Sequence, residues 1–297
     1  MRNNPILAII ILNWNSSPAT LDCISKISRW SILHPEVIVV DNGSSDVDIS
    51  RIQQAGKQIH YIFNHENLGY AGGNNVGITF ALDKEYPCIM LLNSDATIGE
   101  QCVMKLLECL DHDPDMGVIG PLLEEHGIVY SGGRNIGIYS NTRIRHEPES
   151  GNLNLLNVDY VPGTVLLAKG ETFEKAGMLD EEYFFSGEVA DFCQNVHKAG
   201  LKCTVFAGCR ATHTPDSDSE IRNSVYNYYN LRNRFLFIRK HFPHTRYLLS
   251  SRWIAGGTIQ IILALVTGRR ERAHAIWLGL RDGVTGRFGD RSDLFVC

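Results

Sequence analysis

The stretch MLLNSDATI, Met90–Ile98, carries a carboxylate straight out of an apolar run. Cys88–Leu92 reads as a buried strand, and Asn93, Ser94 and Asp95 follow it at once. The same pattern stands upstream, where EVIVVD, Glu36–Asp41, ends in Asp41 and the turn NGSSD. Leu7–Leu12 is a third apolar run, closed by Asn13, Trp14 and Asn15. Segments with helical spacing, Ala19–Trp30 and Asp48–Gln58, lie between, and Ile59–Asn64 adds a short strand. Strands alternating with helices make βαβ units and a parallel sheet. Such sheets bind ligands beyond the carboxyl ends of their strands. Asp41, Asp95 and the Asn13–Asn15 triplet therefore belong to the mouth of one crevice.

Further along, NLGYAGGNNVGI, Asn67–Ile78, reads as a Gly/Asn-rich loop feeding a helix over Val76–Leu82. Its glycines permit close backbone approach, and amides ahead of a helix can meet an anion. It is neither GxGxxG nor a P-loop, so dinucleotide and P-loop readings lose. Gln101–Leu110 is helical, and MGVIGPLL is a strand entering a turn at Pro121. Glu124–Leu156 reads as a polar loop, and Asp159–Gly170 as a strand bent at Pro162–Gly163. Phe173–Ala176 starts a short helix, and Asp180–Gly200 passes from an aromatic turn into an amphipathic helix. Lys202–Thr214 is a strand leading to His213. There is no internal repeat.

The chain has 297 residues, 44% hydrophobic and 21% charged, enough for a sizeable core. The apolar run at the start, Ile6–Leu12, is short and lacks a small-residue cleavage site, so it is a strand rather than a signal peptide. Eight cysteines show no CxxC pair, which predicts reduced core thiols and a reducing compartment. The net charge of -5 hides an asymmetry: residues 221–297 carry +9 and residues 1–220 carry -14. A basic tail on an acidic body points to an anionic surface as neighbour. The aromatic and basic run from Tyr226 to Arg239 has a nucleic-acid flavour, which the acidic body excludes. Trp253–Gly268 is apolar, short for a membrane span, and flanked by Arg252, Arg269, Arg270 and Arg272. Basic helices bearing Trp suit the membrane interface plane. The alternative is a helical hairpin packed on the domain or against a second copy in a homodimer.

A lone Asp after a strand is most often a turn former. Two at neighbouring strand ends favour a ligand site. Hard cations bind one or two carboxylates together with substrate phosphates. Asp95 with His213 could hold Mg²⁺ or, given the imidazole, Mn²⁺ on a diphosphate.

The ordered set ILNWN, VVDNGSSD, NLGYAGGNNVGI, LLNSDATI, VPGTVLLAKGETFEKAGMLDEEYFF, GEVADFCQNVHKAG and ATHT resembles the family 2 glycosyltransferases, closest to the bacterial rhamnosyltransferase-like branch. The resemblance runs from about Ile6 to about Asn233. It implies a GT-A fold, an α/β architecture with a mainly parallel central sheet, a nucleotide-binding half over 1–120 and an acceptor half over 121–240. Residues 241–297 then form a basic, apolar helical extension. By the family pattern Asn13 and Asn15 line the nucleotide pocket, Asp41 takes the base or ribose, and Asn67, Gly69 and Asn75 border the nucleoside. Asn93–Ser94–Asp95 matches the DxD-like motif, with Asp95 holding the metal on the donor diphosphate and His213 at the second metal-side position.

One departure matters. Where the family reads EDVDL, this chain reads Glu188–Val189–Ala190–Asp191–Phe192, so the usual base is Val189. Inverting sugar transfer needs a carboxylate to take the acceptor hydroxyl's proton. Glu188 is adjacent and Asp191 lies one turn on; Glu188 is the favoured base. The resemblance implies a metal-dependent inverting enzyme. It moves a sugar from a nucleotide diphosphate donor to a glycan or lipid-linked acceptor at the cytoplasmic membrane face. The alternatives are a scaffold on the same fold, impaired by Val189, or a nucleotidyltransferase.

Overall fold

The computed structural model describes residues 6–56, 58–147, 155–214 and 220–295. Four parallel strands build the first half: β1 (Leu7–Asn13), β2 (Glu36–Asn42), β3 (Ile59–Asn64) and β4 (Cys88–Leu92). They stand in the order β3-β2-β1-β4. β1 lies inside the sheet, with β2 and β4 on either side. Leu7, Ile9 and Ile11 point into one core layer and Ala8 and Ile10 into the other, so both faces are covered. Helices α1 (Ser17–Ile27), α2 (Asp46–Ile52) and α3 (Gly69–Asp83) make the crossovers.

The Gly/Asn-rich segment is helix rather than loop, since α3 begins at Gly69. Glycine weakens an isolated helix, but here it lets the helix lie directly on the sheet. A Cβ at Gly73 would sit 2.4 Å from Leu12 Cδ1, and one at Gly77 would sit 2.6 Å from Ile10 Cγ2.

The sheet then turns mixed. After β4 come the short β5 (Ala96–Ile98), α4 (Glu100–His112), β6 (Met116–Glu125), β7 (Ile128–Gly133), β8 (Arg143–Arg145) and β9 (Leu155–Asn157). They are followed by β10 (Val165–Lys169), α5 (Gly170–Ala176), α6 (Glu188–Lys198) and β11 (Lys202–His213). β10 runs antiparallel between β4 and β6, and β11 runs parallel to β6 and antiparallel to β5. The expected polar loop over Glu124–Leu156 contains β7, β8 and the start of β9; its residues 148–154 lie outside the described residues.

The expected turn at Pro121 is instead a continuous, buried strand. β11 accommodates the missing N–H with an irregularity: Phe206 faces Pro121 while Arg210 faces Leu122. Cys209 lies in that bulge and pairs with Cys102 of α4 in a disulfide. This corrects the expectation of reduced thiols throughout. The 107-residue separation hid the pair, because only tertiary packing of α4 on the sheet brings the two cysteines together.

Three long helices follow: α7 (Glu220–His241), α8 (Arg246–Val266) and α9 (Arg270–Thr285). α9 packs closely on α7, its Gly279 against the backbone of Tyr228. α8 meets α9 where Gly257 lies on Leu280.

Candidate active site

Asn13 and Asp41 are register partners at the ends of β1 and β2. Asn13 Nδ2 donates to Asp41 Oδ2 and to Asp48 Oδ2, both at 2.8 Å, and Asn13 Oδ1 accepts from Thr20 Oγ1. Asp41 Oδ1 accepts from the Ser44 backbone N–H, and Asp48 Oδ1 from that of Ser17. Burial acts to raise the Asp48 carboxyl, but hydrogen bonds from Asn13 and Ser17 outweigh it and hold the group below its ordinary range. Asn13 and Asp41 are fully buried with their polar atoms engaged internally. Both side chains brace the strand ends, at the mouth where the family resemblance puts the nucleotide. The surface above them belongs to Asn15, whose backbone N–H donates to Ser44 Oγ and whose Oδ1 accepts from Ser45 N, and to Trp14, 56% exposed.

The start of α3 is held by Asn42, which sequence reasoning passed over. Asn42 Oδ1 accepts from Asn64 and from Leu68 N, and its Nδ2 donates to Asn67 Oδ1 and Gly69 O. Asn67 Oδ1 also caps Gly69 N at 2.9 Å. Gly69 has φ +72°, and a Cβ there would lie 2.3 Å from Phe184 O, so only glycine fits. Asn75 is turned to the loop before α6. Its amide donates to Leu179 O and Glu181 Oε1 and accepts from Leu179 N, tying α3 to the loop before α6.

Asp95 lies in the turn closed by Ala96 N donating to Asn93 O, and Asn93 N donates to Thr164 O. β5 pairs Ala96 with His213 of β11, which brings the two expected metal ligands together across the sheet. Asp95 Oδ1 lies 3.2 Å from His213 Nε2, and Glu125 Oε1 lies 3.2 Å from His213 Nδ1. Arg143 pairs with the other oxygen of Glu125. Among the described residues no group of three or more His, Cys, Asp or Glu side chains is placed to hold a metal. Two protein ligands still suit a hard cation that keeps water and substrate phosphate in its shell. Glu125 Oε1 orients the imidazole through its other nitrogen, as an outer carboxylate would for a ligating histidine.

Glu188 opens α6. It is 6% exposed, and its Oε2 has no hydrogen-bond partner. Burial first, and the charge of Asp191 in addition, push its carboxyl up to about 7. Tyr70 joins this carboxylate to the metal-side turn. Its hydroxyl donates to Gly163 O, one residue before the Thr164 that receives Asn93 N, and it lies within electrostatic reach of Glu188 and Asp95. Val189, in the usual base position, is core: its Cγ2 packs on Gly163.

The loop ahead of Glu188 is strained. Phe184, Ser186 and Gly187 have φ of 58°, 70° and 103°, and the first two are not glycine. α7 holds it from below. Asn233 Nδ2 donates to the carbonyls of Tyr183, Phe185 and Ser186, while the fully buried Arg232 donates to Glu182, Tyr183 and Gly289. Sequence reasoning missed both. The available signal was an Arg-Asn pair inside the apolar helical run from Tyr228 to Ile238.

Asp191, the second carboxylate expected as a base, sits within an ion-pair cluster. It is fully buried, with Oδ2 on Lys240 at 2.6 Å and Oδ1 on His241 at 2.7 Å and Tyr183 OH at 3.0 Å. Burial raises its carboxyl, yet the bonds from His241 and Lys240 prevail and hold it below the ordinary range.

This architecture is a GT-A fold, a mixed, mostly parallel sheet with its site at the strand ends. The sequence profile described as "Glycosyl transferase family 2" matches residues 8–169, and the chain belongs to that family. It is similar to the low-salt glycan biosynthesis hexosyltransferase Agl10 of Haloferax volcanii, with 27% identity over 95% of this chain and 92% of the relative. It is also similar to the dTDP-rhamnosyl transferase RfbF of Shigella flexneri, with 26% identity over 85% of this chain and 87% of that one. In fold it is similar to the mannosyltransferase PcManGT of Pyrobaculum calidifontis, solved with GDP-Man and Mn²⁺, at TM-score 0.61, 11% identity, and coverage of 96% and 89%. GalNAc-T7, solved with UDP, GalNAc and Mn²⁺, superposes at TM-score 0.63 and 13% identity over 80% of this chain and 48% of its own.

Proposed function

We propose that this glycosyltransferase is an inverting enzyme in which Glu188 is the general base. It transfers a hexose from a nucleotide diphosphate donor to a hydroxyl of a glycan or lipid-linked acceptor, at the cytoplasmic face of the plasma membrane. The observation that carries this is Glu188 itself: a buried carboxyl with one free oxygen and a pKa about 7, at the head of a helix beside Tyr70. A base poised near neutrality is half ionised at working pH and still strong enough to accept a proton. The Glu188 carboxylate takes the acceptor hydroxyl's proton as that oxygen attacks the anomeric carbon. The bond from the anomeric carbon to the diphosphate breaks, and the nucleoside diphosphate leaves with the electron pair.

The remaining residues position and orient. Trp14 offers an exposed aromatic face and Asn15 and Asn67 offer polar edges for the nucleoside. Asp95 and His213 would hold a divalent cation, with Glu125 behind the imidazole. Such an ion, when bound, neutralises charge on the departing diphosphate. The relatives named for hexosyl and dTDP-rhamnosyl transfer support a six-carbon sugar donor. The test is sugar transfer or donor hydrolysis with a panel of nucleotide sugars and Mg²⁺ or Mn²⁺. Hydrolysis releasing a nucleoside diphosphate is expected; release of pyrophosphate instead contradicts the reading.

A further inference from the structure

α8 buries little of itself. Trp253, Gly257 and Ala264 face the protein, while Ile254, Ile259, Ile262, Leu263, Leu265 and Val266 are exposed. No charged residue interrupts Trp253–Gly268. The exposed apolar residues crowd the last two turns, with Val266 at 80%. Directly beyond them, the α8–α9 turn borders an open cavity of about 640 Å³ whose lining includes Tyr226, Arg269, Arg270, Glu271 and Arg272, three cations against one carboxylate. Among the described residues no carboxylate pairs with these three arginines. Trp277, half exposed, stands two turns along α9.

We propose that the α8–α9 turn is a headgroup site for anionic phospholipid, with the phosphate in the Arg269–Arg270–Arg272 cavity and the last two turns of α8 among the acyl chains. This rests on the membrane-face reading above and gives it an address. Large exposed apolar patches mark interaction sites, and an apolar face rimmed by arginine and tryptophan fits the interface plane. A second copy fits worse. Arginines flank the apolar stretch at both ends, Arg246 and Arg252 before it and Arg269, Arg270 and Arg272 after it. A two-fold pairing of α8 would therefore set arginine against arginine in either direction. α8 is long and apolar enough to cross a membrane, at mean hydropathy 1.4. Its contacts oppose crossing: Arg252 donates to Ile138 O, Trp253 Nε1 donates to Gly137 O, and α9 alongside carries the Arg281–Asp282 pair.

The experiment is co-sedimentation of the full chain with phosphatidylglycerol-containing and pure phosphatidylcholine vesicles. Binding to the first and not the second is expected, with release by salt. Each arginine near such a surface contributes about 1 kcal/mol, about fivefold in affinity, so R269A/R270A/R272A should bind on the order of 10²-fold more weakly. Ile262→Asp with Val266→Asp should also abolish binding, while Arg51→Ala on α2 should not. If the triple variant binds like wild type, the headgroup site is wrong and the membrane reading survives. If wild type binds neither vesicle, both fall. A wild-type dimer that I262D/V266D dissociates would assign the face to a second copy. Retention through salt washing until detergent is added would assign α8 a crossing role. Competition by inorganic phosphate without any vesicle binding would make the cavity a soluble-anion site. Each of these three results overturns the proposal.

Discussion

His213 Nε2 stands 3.2 Å from Asp95 Oδ1 because β5 and β11 pair antiparallel at that point, with Glu125 against the imidazole's other nitrogen. If this pair holds the donor's cation, Asp95→Ala should abolish metal-dependent donor binding in a folded protein. Glu125→Gln should weaken metal affinity roughly 10–100-fold, the usual effect of an outer-shell partner. Titration of Mn²⁺ and donor by calorimetry reads both. Unchanged donor affinity in the Asp95 variant removes it from the metal site.

The clamp from α7 predicts a second effect. Asn233→Ala leaves buried carbonyls of Tyr183, Phe185 and Ser186 short of a donor. Denaturant titration should show a loss of about 1–3 kcal/mol for unsatisfied buried polar groups. As a positioning residue for Glu188, it should lower kcat with the donor KM nearly unchanged. A stable variant with wild-type kcat would make the clamp irrelevant to the base.

Asp191 contributes to stability and its sign is fixed by its environment. Its folded carboxyl sits below the ordinary value, so its contribution is present above that value and is lost as pH falls through the folded one. Asp191→Asn should destabilise at neutral pH by about 1–3 kcal/mol, because Lys240 keeps Asp180 but the buried hydrogen bonds to Lys240, His241 and Tyr183 lose their carboxylate. It should also flatten the acid limb of the stability curve. An equal acid limb in variant and wild type would contradict this assignment.

Glu188 carries the opposite sign. Its folded carboxyl is raised from 4.5 to about 7, so the protonated form is favoured in the native state. Stability is then lost as pH rises from about 4.5 through about 7. Glu188→Gln should remove that loss, so the variant gains relative to wild type on the alkaline side. A melting series across pH reads it, and an identical slope in both proteins would mean the group is not raised.

The strand ends were legible because apolar runs closed by Asp41 and Asp95 have a single placement in a parallel sheet. Glu188, Asp95 and His213 were picked out as candidates through motif order, and the β5–β11 pairing supplies the Asp95–His213 contact that order alone lacks. The helical nature of Gly69–Ile78 was hidden because glycine's local preference opposes the helix that tertiary packing selects. The internal partners of Asn13, Asn75 and Asp191 were not legible, since polar residue types carry no mark of facing inward. Asn42, Arg232 and Asn233 were missed for the same reason. Their partners are backbone carbonyls and amides of distant loops, which no side-chain spacing reveals.

The central claim is that Glu188 takes the acceptor's proton in place of the residue that Val189 replaces. Glu188→Gln keeps size and most hydrogen bonding while removing the basic carboxylate. The decisive measurement is the turnover of this variant beside its donor affinity, with the pH dependence of wild-type kcat. Wild type should show an activity limb rising with pH through about 7, as the raised carboxyl ionises. The variant should lose that limb and fall on the order of 10²–10⁴ in kcat, with donor affinity nearly intact. Turnover equal to wild type with an unaltered pH profile would show that Glu188 is only the first residue of a helix.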